Sequence, residues 1–167
     1  MIYRPIWVIP GLVMVPLCAR LSLLTRRRES EPWKIELNHL IEDGFNPADI
    51  VVLSPYSFDQ SWVSYVAKAL QVSITVLDSS SARADERHAI GFAQIGDFKG
   101  LESEVVLVDM PFDKRVYMHG HAAGSEENIH SLYYVGMSRA RALLSMICKE
   151  SDQSKMETRG VSKAYIQ

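Results

Sequence analysis

A chain of 167 residues, 47% hydrophobic and 23% charged, is long enough to bury one core and too apolar to remain disordered outside its ends. Its formal net charge of −2 excludes a global basic footprint, which argues against a free-standing nucleic-acid binder held by phosphate neutralisation. It leaves open a domain that contributes half of a shared groove. Cys18 and Cys148, the only two cysteines, lie far apart in sequence and lack metal-ligand spacing. That is the pattern of two unpaired thiols in a reducing compartment, and the expected location is cytoplasmic.

Residues 6–19 form an apolar run interrupted by Pro10 and Pro16, resumed after Arg20 and closed by Arg26, Arg27 and Arg28. A membrane-spanning helix needs about 20 apolar residues, which this run lacks. No small-x-small cleavage site follows it. Residues 1–30 are therefore set apart as an apolar and basic segment. A buried strand and turn, or a remnant of a longer protein, is preferred over a membrane anchor.

From Glu31 the pattern becomes regular. Pro32 suits a first helical turn. Trp33, Leu37, Leu40 and Ile41 make one apolar stripe, and Gly44 is placed to end the helix. Residues 46–49 (NPAD) read as a turn. Residues 50–53 form a continuous apolar run, the mark of a strand buried on both faces. Ser57 or Asp59 is placed to cap a second helix carrying Trp62, Val63, Val66, Ala67 and Leu70. Strands are expected over 72–77, 90–95 and 105–109, with a polar loop over 79–86 and a Gly/His-containing loop over 111–124. Ser125 opens a long helix whose inner stripe is Ile129, Leu132, Tyr133, Gly136, Ala140 and Leu143. A final strand is expected over 143–147, and residues 151–167 read as a polar tail. Strands alternating with helices imply a mostly parallel sheet covered on both faces. In such sheets ligands bind beyond the carboxyl ends of the strands.

Two stretches offer chemistry. In residues 98–102 (FKGLE), Gly100 lets backbone approach a ligand and Glu102 offers a carboxylate at the mouth of the sheet. Taken alone, the stretch is equally a solvated turn. Arg139 and Arg141 fall on opposite flanks of the expected helix, because two residues turn it by about 200°. An arginine beside a phosphate stabilises charge that develops in phosphoryl transfer, although a single one is usually a surface residue. His119 and His121 (HGH) lack further ligands at metal spacing and read as loop residues.

Taken together, FKGLE, the aliphatic strand behind it and residues 132–140 (LYYVGMSRA) resemble the C-terminal RecA-like domain of superfamily 1 helicases of the UvrD/Rep type. The family pattern is a Lys-Gly-Leu-Glu turn, an aliphatic strand and a Tyr-Val-x-x-Thr-Arg-Ala helix. Lys99, Gly100, Leu101, Glu102, Tyr134, Val135, Arg139 and Ala140 match, and Ser138 keeps the hydroxyl of the usual threonine. Residues 49–55 (DIVVLSP) look like the strand that precedes these motifs. Two neighbouring positions depart from the pattern, where Gln94 and Gly96 stand in place of a threonine and a histidine near DNA.

The resemblance covers about 31–150. It implies a three-layer α/β fold of the P-loop NTPase type without its own Walker A loop, since no G-x-x-x-x-G-K-[ST] occurs in the sequence. It implies that Arg139 is an arginine finger, that Gly100 and Glu102 line a nucleotide, that Lys99 supports their turn, and that Tyr134 packs or faces the cleft. It further implies ATP with Mg²⁺, held mainly by an N-terminal RecA-like domain, and single-stranded DNA or RNA as the polymer of the intact motor. This chain alone is then expected to be inactive. The competing expectation is a non-enzymatic interaction or regulatory module with a degenerate helicase fold.

Overall fold

Strand β3 (Ile50–Ser54) is buried at every residue, as its unbroken apolar run requires. Alternate side chains enter two separate cores. Val51 and Leu53 face one, Ile50 and Val52 the other. The neighbours β5 (Ile90–Gln94) and β6 (Ser103–Asp109) both pair with β3 in parallel and split their side chains in the same way. The computed structural model describes residues 6–9, 12–19, 31–70, 72–77, 88–111, 126–149 and 163–164.

The second core lies under helices α1 (Glu31–Glu42) and α2 (Trp62–Leu70). Trp33, Leu37 and Leu40 of α1, and Val63 and Val66 of α2, pack on Ile50, Val52, Phe92, Val105 and Leu107. Each such fully buried side chain contributes about 1.5–3 kcal/mol. Ile41, expected on the stripe, is exposed, because the stripe is narrower than its spacing suggested. Gly44 does end α1. With φ +87°, it lets Phe45 N donate to Leu40 O at 3.0 Å while its own N donates to Ile41 O at 3.1 Å, a Schellman termination. The second cap differs from expectation. Ser57 opens a 3-10 turn (Phe58–Gln60), and α2 starts only after Ser61, whose hydroxyl donates to Phe58 O.

The first core lies under helix α3 (Glu126–Met137), which contributes Ile129 and Tyr133. Two helices on one face and one on the other give three layers. The sheet order is β4-β5-β3-β6-β7-β2-β1-β8, with β4 at Ile74–Val76, β7 at Ala140–Lys149, β2 at Leu12–Ala19, β1 at Ile6–Ile9 and β8 at Lys163–Ala164. The six strands from β4 to β2 are mutually parallel, and β1 is antiparallel to both of its neighbours.

Within the apolar N-terminal run, where a buried strand was expected, β1 and β2 form two strands. Strand β2 lies beside β7 in register from Val13↔Leu143 to Ala19↔Lys149, which extends the sheet beyond residues 31–150. This register also brings Cys18 and Cys148 onto adjacent positions, despite their separation in sequence. Among the described residues no helix is long and apolar enough to cross a membrane.

Gly91 marks a tight point between β5 and its surroundings. A Cβ there would stand 2.9 Å from Leu77 Cδ1 and 3.0 Å from Val51 Cγ2. Overfilling a packed core in this way costs about 1–3 kcal/mol. Gly91→Ala should therefore lower the urea midpoint without changing the m-value, which an equilibrium denaturation curve reads directly.

Candidate functional site

The FKGLE stretch leaves β5 at the carboxyl end. Ile95 N donates to Ser54 O at 3.0 Å, and Asp97 N and Phe98 N both donate to Gln94 O. Ile95 and Phe98 then sink into the core shared with α3, beside Val51, Leu53 and Val106. Gly100 takes φ +78°, a conformation that costs a glycine nothing, and its missing Cβ would meet no atom within 4 Å. Ser103 next opens β6 at the strand's amino end. Its hydroxyl donates to Asp49 O at 2.8 Å and its backbone N donates to Arg139 O at 3.0 Å. Residues 95–102 therefore carry the chain across a sheet face to the opposite edge. Their motif suggests the carboxyl mouth of the sheet. The structure places Glu102 at the amino edge, because a parallel neighbour of β3 can only be entered from there.

The second stretch also ends differently from expectation. The long helix of the sequence reading stops at Met137, and Ala140 and Leu143 belong to β7. Ser138 N donates to Tyr134 O, and Arg139 N tightens to Gly136 O at 3.2 Å. The next residues gain more from a ladder beside β6, in register from Ser103↔Ala140 to Asp109↔Ile147, than from continuing the helix. Arg139 thus sits in the turn, not on a helix flank, and its Nε donates to Val135 O at 3.1 Å. Arg141 lies in β7 and faces Glu104 of β6 at 3.9 Å, with side chains 65% and 46% exposed. A pair that wet adds little stability.

Glu102 and Arg139 are consequently the residues immediately before two paired strand starts, on backbones about 4.8 Å apart. Lys99 and Glu102 are exposed and Arg139 is half-buried. Among the described residues, Lys99, Glu102 and the terminal guanidinium nitrogens of Arg139 make no hydrogen bond or ion pair. The turn expected to lean on Lys99 is instead held by the φ of Gly100 and by buried Phe98. Tyr134 is 70% exposed and so does not pack. The packed tyrosine is Tyr133, whose hydroxyl donates to Pro111 O at 2.7 Å. Leu101, 49% exposed, adds a second apolar group to this stretch of surface.

At the opposite edge, Ser54 Oγ donates to Asp109 Oδ2 at 2.9 Å and accepts from Tyr56 N at 3.2 Å. The Asp109 carboxylate at the end of β6 therefore fixes the turn after β3. Neither Ser54 nor Ser103 stood out in the sequence, since a serine at a strand end carries no signal until its partner strand is known. Among the described residues no group of three or more His, Cys, Asp or Glu could hold a metal ion. His119, His121 and Ser125 lie outside the described residues.

No family model and no curated protein matches the sequence. Solved structures do. The C-terminal domain of a possible DNA helicase from Lactobacillus plantarum WCFS1 superposes with a TM-score of 0.54 at 16% identity, over 74% of this chain and 68% of that one. The fold is that of a helicase C-terminal domain. The C-terminal part of the Fun30 ATPase domain also matches, with a TM-score of 0.43 at 13% identity, over 86% of this chain and 50% of that one. Within the helicase C-terminal fold of this chain, the mostly parallel three-layer sheet brings the two turns of interest to one edge.

Proposed function

We propose that this chain is the C-terminal motor half of an ATP-dependent superfamily 1 helicase, supplying an arginine finger and one wall of the nucleotide cleft. The observation that carries the reading is the Ser103 N–Arg139 O hydrogen bond of 3.0 Å, which fuses the FKGLE turn and the SRA turn into one surface. That surface offers the terminal nitrogens of Arg139, uncommitted among the described residues, the exposed carboxylate of Glu102 and the open turn at Gly100. The group set fits a polyphosphate nucleotide. A guanidinium binds phosphate oxygens as a fork, and a carboxylate accepts from a sugar hydroxyl.

ATP, when bound with Mg²⁺, supplies the transferable phosphoryl group. Arg139 contributes positive charge where negative charge grows, Glu102 and Gly100 line the nucleotide, and Lys99 keeps a cation near by. The phosphate cradle belongs to an N-terminal RecA-like domain, since the sequence has no Walker A loop. Closure of the two halves would then ratchet single-stranded nucleic acid.

Two measurements test the reading. The purified chain should show no ATP turnover above background. A chimera in which this chain follows the N-terminal RecA-like half of a UvrD-type helicase should hydrolyse ATP. Robust turnover by the isolated chain, lost on Arg139→Ala, would overturn the proposal. A well-folded chimera without turnover or nucleotide affinity would instead favour the non-enzymatic interaction module.

A further inference from the structure

The Val135 carbonyl near the end of α3 is met by two side chains. Ser138 N is taken by Tyr134 O, and Arg139 N is taken by Gly136 O. Among the described residues, Val135 O, which a continuing helix would offer to Arg139 N, receives no backbone donor in this turn. Two side chains fill the gap. Ser138 Oγ donates to Val135 O at 2.8 Å and Arg139 Nε donates to the same oxygen at 3.1 Å. A carbonyl has two acceptor lone pairs, so both donors are accommodated at once.

We propose that Ser138 is a positioning residue for Arg139, acting through the Val135 carbonyl that both side chains share. The inference rests on the proposed role of Arg139 and deepens it. The hydroxyl occupies one lone pair of the carbonyl and so holds it out of the helical ladder, within reach of Nε. Tying Nε to the helix fixes the plane of the guanidinium, which is rigid and presents its donors as a fork. The terminal nitrogens, which have no acceptor among the described residues, are thereby held ready for an oxyanion before one arrives. Fixing a donor before the ligand binds removes part of the ordering cost of binding. Without the hydroxyl, Arg139 N can return to Val135 O as an ordinary i to i−4 helical donor, displacing Nε and freeing the side chain. Threonine would retain the hydroxyl and alanine would not.

The test reads the Arg139 Nε–H signal of the ¹⁵N-labelled full chain by NMR, identified by its loss in Arg139→Lys. Its exchange with water should be slower than that of free arginine. In Ser138→Ala it should be about two- to tenfold faster, the factor that the loss of one net hydrogen bond allows. Ser138→Thr should restore the slow exchange, while the unfolding midpoints of both variants stay close to that of the parent. A role in helix stability alone predicts a shifted midpoint with Nε–H exchange unmoved. Unchanged exchange in Ser138→Ala, or equally fast exchange in Ser138→Thr, would overturn the positioning role. The readout needs no nucleotide. An Arg139→Ala chimera that hydrolyses ATP at full rate would therefore sink the proposed function separately, whatever the exchange shows.

Discussion

Arg139→Ala in the chimera should lower kcat for ATP hydrolysis by about 10³-fold, with nucleotide affinity changed only a few-fold. That corresponds to about 4 kcal/mol of transition-state stabilisation. The split follows from where the charge is needed. In the proposed role the guanidinium faces negative charge that grows on the phosphoryl oxygens during transfer, so the ground state would lose less than the transition state. The fold should survive, because among the described residues the Arg139 side chain makes one bond, to Val135 O. Arg141→Ala is the control. Its guanidinium stands 3.9 Å from Glu104 with both side chains largely in water, so turnover should stay within about threefold of the parent. If the two variants fall equally, Arg139 has no special position.

Phe98→Ala should cost about 3–5 kcal/mol of folding stability, the usual range for removing a buried ring. Phe98 is 1% exposed and packs among Val51, Leu53, Val106 and Tyr133 on the α3 face of the sheet. Its removal would also loosen the site. The residue anchors the only covalent path from the carboxyl end of β5 to the amino end of β6, and Gly100 and Glu102 hang from it. Urea denaturation should show the midpoint fall, and amide exchange over residues 99–103 should quicken well before global unfolding. Leu101→Ala, three residues on but 49% exposed, should change stability by no more than about 0.5 kcal/mol. Comparable losses for the two would mean that the turn is not held from beneath.

Much of the scaffold was legible because burial writes itself into composition. A strand covered on both faces must be apolar throughout, as residues 50–53 are, and a helix covered on one side must repeat every three or four residues, as Trp33, Leu37 and Leu40 do. Gly44 announced its own termination because few residues other than glycine tolerate that φ. Matters decided by distant partners were not legible. Residues 138–147 carry a spacing compatible with helix or strand, and only the ladder beside β6 ends α3 at Met137. Residues 6–19 looked apart from the domain because nothing local reveals that β7 leaves an edge for β2 to fill. The same limit applied to the site. FKGLE and SRA were visible as motifs, but their meeting at the amino edge depends on how eight residues cross a sheet face, which no local pattern records. Tyr134 stood out by motif, while its neighbour Tyr133 carries the packing and the bond to Pro111 O.

The proposed nucleotide contact lies at the amino ends of β6 and β7. Hydrogen–deuterium exchange of the chimera, with and without a non-hydrolysable ATP analogue, tests it most directly. Slowed exchange over residues 99–103 and 136–140, with residues 54–56 and 109–110 unmoved, is the predicted result. Protection of residues 54–56 and 109–110, at the carboxyl edge where open α/β sheets ordinarily bind ligands, with the two turns unaffected, would contradict it.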